Sequence, residues 1–251
     1  MSLFLIRMMV ICAIVGWGQA ALAGDPSPFD RQQEAISLMR VRGHDLRMWQ
    51  SISGVSCELE LFDPGPEELA AVAYLPRMIE LEIHGAKLTQ ESIRQMGKLA
   101  HLTRLSLDDC QFPDGNLAFL KHLTALERLY FQRCKFEGAS LSELGSLDRL
   151  YYVRISDCVL EDSGNLVFPP EMERLTRLYV YDTFVNQWSF QQLVGSSYLT
   201  SLKFQDAKIT DEYLRHTAPG ENLERLRVYH QISHAAGERF KQNFPQVRFY
   251  Y

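Results

Sequence analysis

The strongest constraint on this chain is a period of about 24 residues in its apolar side chains, running from position 75 to the end. The clearest frame is Leu99, Leu102, Leu105 and Leu107, spaced apolar-x-x-apolar-x-x-apolar-x-apolar. Before it stand Leu75, Met78, Leu81 and Ile83. After it come Leu123, Leu126, Leu129 and Phe131, then Leu147, Leu150, Val153 and Ile155. Frames continue at Met172, Leu175, Leu178 and Val180, and in reduced form at Leu199, Leu202 and Phe204, at Leu223, Leu226 and Val228, and at Phe244, Val247 and Phe249. Leu59 and Leu61 supply an earlier strand. A chain that repeats at this interval builds a stack of equal units, each covering the apolar edge of its neighbour.

The spacing also fixes the parts of a unit. Two apolar residues separated by one position form a short strand, with both side chains on the same face and the intervening residues on the other. Stacked about 4.8 Å apart, such strands make one parallel sheet. The rest of each unit returns the chain as a helix or helical turn. Thr89-Gln90-Glu91-Ser92 before Ile93 and Met96, Thr210-Asp211-Glu212 before Tyr213 and Leu214, and Pro66-Glu67-Glu68 before Leu69 and Val72 read as helix starts. Gly164-Asn165 and Pro169-Pro170 mark a less regular return. The predicted fold class is α/β: a solenoid arc with a parallel concave sheet and convex helices.

Three segments precede or compose this array. Residues 1–23 read as a signal peptide: Arg7, an apolar run from Met8 to Val15, and the small-residue ending Ala21-Leu22-Ala23, with cleavage expected after Ala23. The alternative is an uncleaved anchor, since Leu3 to Ala23 approaches the length of a bilayer span. After cleavage no stable span is expected. Residues 24–62 form a linker and N-terminal cap that includes the first strand. Within it Asp25-Pro26-Ser27-Pro28 is the linker, and Asp30 is expected to cap a helix carrying Ala35, Ile36 and Met39 and ending near Gly43. Leu46 and Met48, then Val55, Cys57, Leu59 and Leu61 after a turn at Ser53-Gly54, alternate as a hairpin does. Residues 63–251 are the repeat array.

Cys110, Cys134 and Cys158 each stand three residues after the last apolar strand position, where other units place Ala86, Thr183, Ala207 and Gln231. The run Leu102-Thr103-Arg104-Leu105-Ser106-Leu107-Asp108-Asp109-Cys110-Gln111-Phe112 resembles the cysteine-containing subclass of leucine-rich repeats. With its leader, the chain is similar to exported bacterial proteins of that family. The resemblance implies a solenoid that serves as an interaction module in the cell envelope, the periplasm or outside the cell, without catalytic activity or cofactor. Phe184, Trp188 and Gln231 depart from the pattern in the later units.

The remaining chemistry is sparse. The column cysteines read as buried structural thiols, although neighbouring units bring them close enough for a disulfide. His230, His234 and Glu238 have the spacing of a metal triplet on one helix face, but a strand end and a helix start separate the two histidines, so no metal site is expected there. Nucleophile elbow, phosphate loop and His-Glu-x-x-His helix are all missing, so no enzyme is expected. A formal net charge of -5 gives no field to draw nucleic acid.

The positions between strand apolar residues map the predicted concave face. Glu58, Glu60, Phe62, Glu80, Glu82 and His84 make its start acidic, and Arg104, Ser106 and Asp108 are mixed. From Arg128 onward the map is basic and rich in tyrosine. The candidate partner-binding residues are Arg128, Tyr130, Tyr152, Arg154, Arg177, Tyr179, Tyr181, Lys203, Arg227 and Tyr229, because tyrosine and arginine combine rigid contact area with polar tips. Tyrosine also suits any strand surface, so the same pattern is open to a purely structural reading. The expected partner is a protein with acidic groups. An acidic glycan, or end-to-end association of copies through the last strand, are the alternatives.

Overall fold

The computed structural model describes residues 25–170, 172–229 and 232–251. The expected signal peptide with Cys12, and both His230 and Gln231, lie outside the described residues.

The 24-residue period becomes one ten-stranded sheet. It opens with an antiparallel hairpin, β1 (Asp45–Ser51) and β2 (Gly54–Phe62). From there every pairing is parallel: β2 to β3 (Arg77–His84), β4 (Arg104–Asp108), β5 (Arg128–Gln132), β7 (Tyr152–Ser156), β9 (Arg177–Tyr181), β10 (Ser201–Gln205), β11 (Arg225–Tyr229) and β12 (Arg248–Tyr250). β6 (Lys135–Phe136) and β8 (Val159–Leu160) form a second, two-stranded sheet where the chain turns away from the strands. The register stacks like on like: Leu81, Leu105, Leu129, Val153, Leu178, Leu202 and Leu226 make one column, and Ile83, Leu107, Phe131, Ile155, Val180, Phe204 and Val228 the next. All are buried. Burying a side chain of this size contributes about 1.5–3 kcal/mol, which a single unit standing alone would forfeit.

Most of the parallel strands end in a left-handed residue, and several of these carry the ladder one hydrogen bond further. Asp63, Asp109, Asp157, Asp182 and Asp206 have φ between 43° and 55°. The Asp109 N–H donates to the Gln132 carbonyl at 2.9 Å, and the Asp157 N–H to that of Tyr181 at 3.0 Å. Aspartate tolerates this backbone better than most side chains, which explains its recurrence. The cysteines follow directly. Cys134 Sγ donates to the carbonyls of Leu107 and Gln132 at 3.3 and 3.2 Å, so the thiol satisfies strand-end carbonyls while packing as a small apolar group. Thr183 does the equivalent work with its hydroxyl, donating to the Tyr181 carbonyl at 2.8 Å, and also accepts from the Cys158 N–H at 3.0 Å.

On the other side the returns are α2 (Pro66–Ala71), α3 (Gln90–Met96), α4 (Gln187–Val194), α5 (Asp211–Arg215) and α6 (His234–Asn243), with 3-10 turns at Pro113–Gly115, Ala118–His122 and Gly138–Ser146. Thr89 caps α3 as expected, in a reciprocal pair with Ser92, whereas Thr210, the expected cap of α5, makes no side-chain cap bond. The cap helix α1 (Pro28–Arg42) starts earlier than predicted. Ser27, not Asp30, is its N-cap: the Asp30 N–H donates to Ser27 Oγ at 3.2 Å and the Asp30 carboxylate accepts from the Ser27 N–H at 3.1 Å. Proline at the first helical position favours this frame, so Asp30 becomes the returning half of a capping box. The Ser27 hydroxyl, which donates to Asp30 Oδ2 at 2.7 Å, and then the Ser27 N–H lower the Asp30 pKa.

Two further expectations shift. The hairpin loop consists of Ile52 and Ser53, since Ser51 pairs with Gly54, and the far end of the hairpin is exposed at Met48 and Val55. In the last unit Phe249, not Val247, pairs with Leu226. Val247 is buried ahead of the strand, and Tyr251 packs partly buried in the place of the second apolar residue.

Candidate functional site

The strand residues that do not enter the core form three columns on the solvent face of the sheet. One runs Glu58, Glu80, Arg104, Arg128, Tyr152, Arg177, Ser201, Arg225, Arg248. The second runs Glu60, Glu82, Ser106, Tyr130, Arg154, Tyr179, Lys203, Arg227, Tyr250. The third runs Phe62, His84, Asp108, Gln132, Ser156, Tyr181, Gln205, Tyr229. The period therefore places the face as the sequence map expected, with the last unit taking the one-position shift just described.

From β5 onward these columns hold no carboxylate. Tyr130 and Tyr152 lie with ring centroids 5.3 Å apart, and Tyr152 meets Tyr179 edge to face at 5.4 Å. Cations then alternate with rings: Arg154 sits 4.6 Å from the Tyr181 centroid, Lys203 lies 4.5 Å from Tyr181 and 5.3 Å from Tyr229, and Arg227 lies 5.5 Å from Tyr250. Such contacts hold the side chains in fixed positions and leave each cation's outer surface open to a ligand. Burial, with smaller contributions from neighbouring tyrosines, pushes the Tyr152 hydroxyl up to about 12, so it is a proton donor throughout the neutral range.

Eight of the ten predicted residues thus share one connected surface: Tyr130, Tyr152, Tyr179, Arg154, Tyr181, Lys203, Tyr229 and Arg227. The other two differ. Arg128 is exposed and turns to Tyr151 just before the next strand, donating from Nε to its Oη at 2.5 Å, which raises the Arg128 pKa. Arg177 is exposed and makes no ion pair among the described residues. Tyr151, Tyr250 and Arg225 were not singled out as site residues. Tyr250 and Arg225 lie in the columns, so register arithmetic reaches them, whereas Tyr151 precedes its strand and carries no periodic signal.

The start of the face is built differently. Arg47 pairs with Glu58 at 3.1 Å, and Arg104 reaches both Glu80 at 3.4 Å and Glu82 at 3.1 Å. Arg104 also lies 5.0 Å from the Tyr130 ring, joining the acidic start to the tyrosine ladder. His84 lies between carboxylates, with Nε2 3.1 Å from Glu60 Oε1 and Nδ1 3.2 Å from Asp108 Oδ2. Arg133 is also paired with Asp108 Oδ2. Phe62 stacks on the imidazole at 5.1 Å, with the rings 10° from parallel. Glu60, Glu82 and His84 hold their ligand atoms within 4.8 Å of one another. A linear reading separates them by a whole repeat, which hid the cluster although all three were on the face map. His234 and Glu238, where no metal site was expected, share the Tyr251 hydroxyl, which lies 3.1 Å from His234 Nδ1 and donates to Glu238 at 2.7 Å.

No protein-family model matches the sequence, and no curated protein does. Similar solved structures include the LRR ectodomain of the receptor kinase SOBIR1 from Arabidopsis thaliana, 14% identical over 70% of this chain and 92% of that one, with a TM-score of 0.36. An internalin from Listeria monocytogenes is 14% identical over 97% of this chain and 67% of its own, with a TM-score of 0.43. The plant peptide hormone receptor RGFR1, in complex with RGF2, is 16% identical over 68% of this chain and 35% of its own, with a TM-score of 0.38. At this distance the assignment rests on the stacked repeat itself. The fold is a leucine-rich-repeat solenoid. Among the described residues no helix is long and apolar enough to cross a membrane.

Proposed function

We propose that the protein is a non-catalytic, exported interaction module whose solvent-facing sheet surface from β5 to β11 binds an extended, acidic protein segment. The observation that carries this reading is the connected ladder of Tyr130, Tyr152, Tyr179, Tyr181 and Tyr229 interleaved with Arg154, Lys203 and Arg227. Rigid aromatic area supplies contact at low entropic cost, and guanidinium groups pair with carboxylates in fixed geometry. A positive surface set beside an acidic start also orients an acidic ligand along the sheet. Export rests on the leader read in residues 1–23.

Selection of random peptides on the immobilised protein tests the proposal. Peptides rich in Asp and Glu with an aromatic residue are expected, and Tyr130, Tyr179 and Tyr181 all changed to Ser should lose them. Equal recovery of the same peptides by that variant overturns the reading. Binding of a polyuronate with no peptide enrichment replaces the protein partner with an acidic glycan.

A further inference from the structure

We propose that Glu60, Glu82 and His84 form a binding site for a divalent transition metal of the Zn2+ class, with Asp108 behind the histidine as its orienting carboxylate. The site is independent of the tyrosine ladder.

The geometry is close to what such an ion requires. Zn–N and Zn–O bonds of about 2.0–2.2 Å set ligand atoms about 3.3 Å apart across a tetrahedron. Here the three ligand atoms lie within 4.8 Å of one another, with His84 Nε2 and Glu60 Oε1 at 3.1 Å. Small side-chain rotations close the remainder. The backbone is already fixed, since β2 and β3 pair Glu60 with Glu82 and Phe62 with His84.

The surroundings of His84 suit a bound cation. Both of its nitrogens face carboxylate oxygens, Nδ1 that of Asp108, which is 8% exposed, and Nε2 that of Glu60. A carboxylate behind Nδ1 with Nε2 turned toward further ligands is the arrangement that orients a metal-bound histidine. Phe62 covers one face of the ring and holds its plane.

Charge balance agrees in sign. The carboxylates of Asp45, Glu58, Glu60, Glu80, Glu82 and Asp108 meet only three guanidinium groups, those of Arg47, Arg104 and Arg133. The surplus is negative, which favours a cation. Asp108 Oδ1 is buried without a hydrogen-bond partner, while its Oδ2 meets His84 and Arg133. Arg104 meets Glu82 at Oε1. One imidazole with carboxylates favours zinc-like ions over calcium or magnesium, which take oxygen ligands.

The test is titration of the chelator-treated protein with ZnCl2 at pH 7.5 by calorimetry, repeated with CoCl2 for its visible spectrum. One ion per chain is expected, with a cobalt spectrum free of thiolate charge transfer. Glu60→Gln and Glu82→Gln should each weaken binding at least about 10-fold, His84→Gln should abolish it, and Asp108→Asn should weaken it about 10- to 100-fold. Circular dichroism establishes that each variant is folded. Should His84→Gln fail to fold, the two glutamate variants carry the decision. The proposal is overturned if the wild type takes up no ion, or if the variants bind as the wild type does.

Discussion

Tyr130 and Phe131 are adjacent aromatic residues on β5 with opposite predicted fates, and replacing each in turn tests the two-faced strand directly. Phe131 is 1% exposed, lies 4.7 Å from the Phe136 ring and meets Phe112 edge to face at 6.2 Å. Phe131→Ala removes a buried ring from a stacked column and leaves a cavity that β4 and β7 cannot fill. The cost is about 3–5 kcal/mol. For a chain of this size, about 2–4 °C per kcal/mol turns that into a fall in Tm of roughly 6–20 °C. Tyr130 is half-buried on the solvent face, where it touches Tyr152 and Arg104. Tyr130→Ser loses one aromatic contact and one cation–π contact, together about 1–2 kcal/mol. Thermal and urea unfolding followed by circular dichroism at 222 nm measure both. Because solenoid units contact only their neighbours, Phe131→Ala should also broaden or split the transition. Equal costs for the two changes, or a Phe131→Ala cost below about 1 kcal/mol, would refute the alternation on which every face residue depends.

Other outcomes follow from single positions. Asp157→Gly should leave stability nearly unchanged, whereas Asp157→Val should cost roughly 1–2 kcal/mol in chemical denaturation, because φ is 52° there and a branched side chain resists it. Gly138→Ala should destabilise by about 1–3 kcal/mol, since the added methyl would collide with the Asn165 carbonyl oxygen. Cys57, Cys110, Cys134 and Cys158 are buried and free, so Ellman's reagent should find four thiols in denaturant and almost none in the native protein cleaved after Ala23. Burial pushes Cys57 and Cys158 up to about 12, against about 8.5 when unfolded. Their contribution is therefore full below about pH 8.5 and is lost as the pH rises toward 12, so urea midpoints should fall across that window and fall less when both are changed to Ala.

Much of this fold was legible because the period is physical: a strand that buries alternate residues must repeat the alternation wherever a neighbour repeats it. Leu105, Leu129 and Val153 fall into one column for that reason. The same arithmetic located Tyr130, Arg154, Tyr179 and Lys203 on one face. It failed where units end. Ser27 captured the cap because proline at the next position favours the helix start, a local preference with no periodic trace. Phe249 took the place assigned to Val247 because the step from Leu226 is 23 residues there rather than 21, a change of register that the aligned frame does not carry. The His84 cluster was missed for a different reason. Its members occupy two strands, and only the 22-residue step from Glu60 to Glu82, set by the pairing of β2 with β3, brings them together. Arg128 was placed on the face correctly, yet its partner Tyr151 is set by a turn.

Whether the tyrosine and arginine ladder is a binding surface is tested most directly by one titration. A fluorescent acidic peptide recovered by selection on the wild type is followed by polarisation, against the wild type and the Tyr130, Tyr179, Tyr181 to Ser variant, from 50 to 300 mM salt in each case. The ladder reading predicts at least about a 30-fold loss of affinity in the variant, about 2 kcal/mol, and weaker binding to the wild type as salt rises. Affinity unchanged in a folded variant would contradict it.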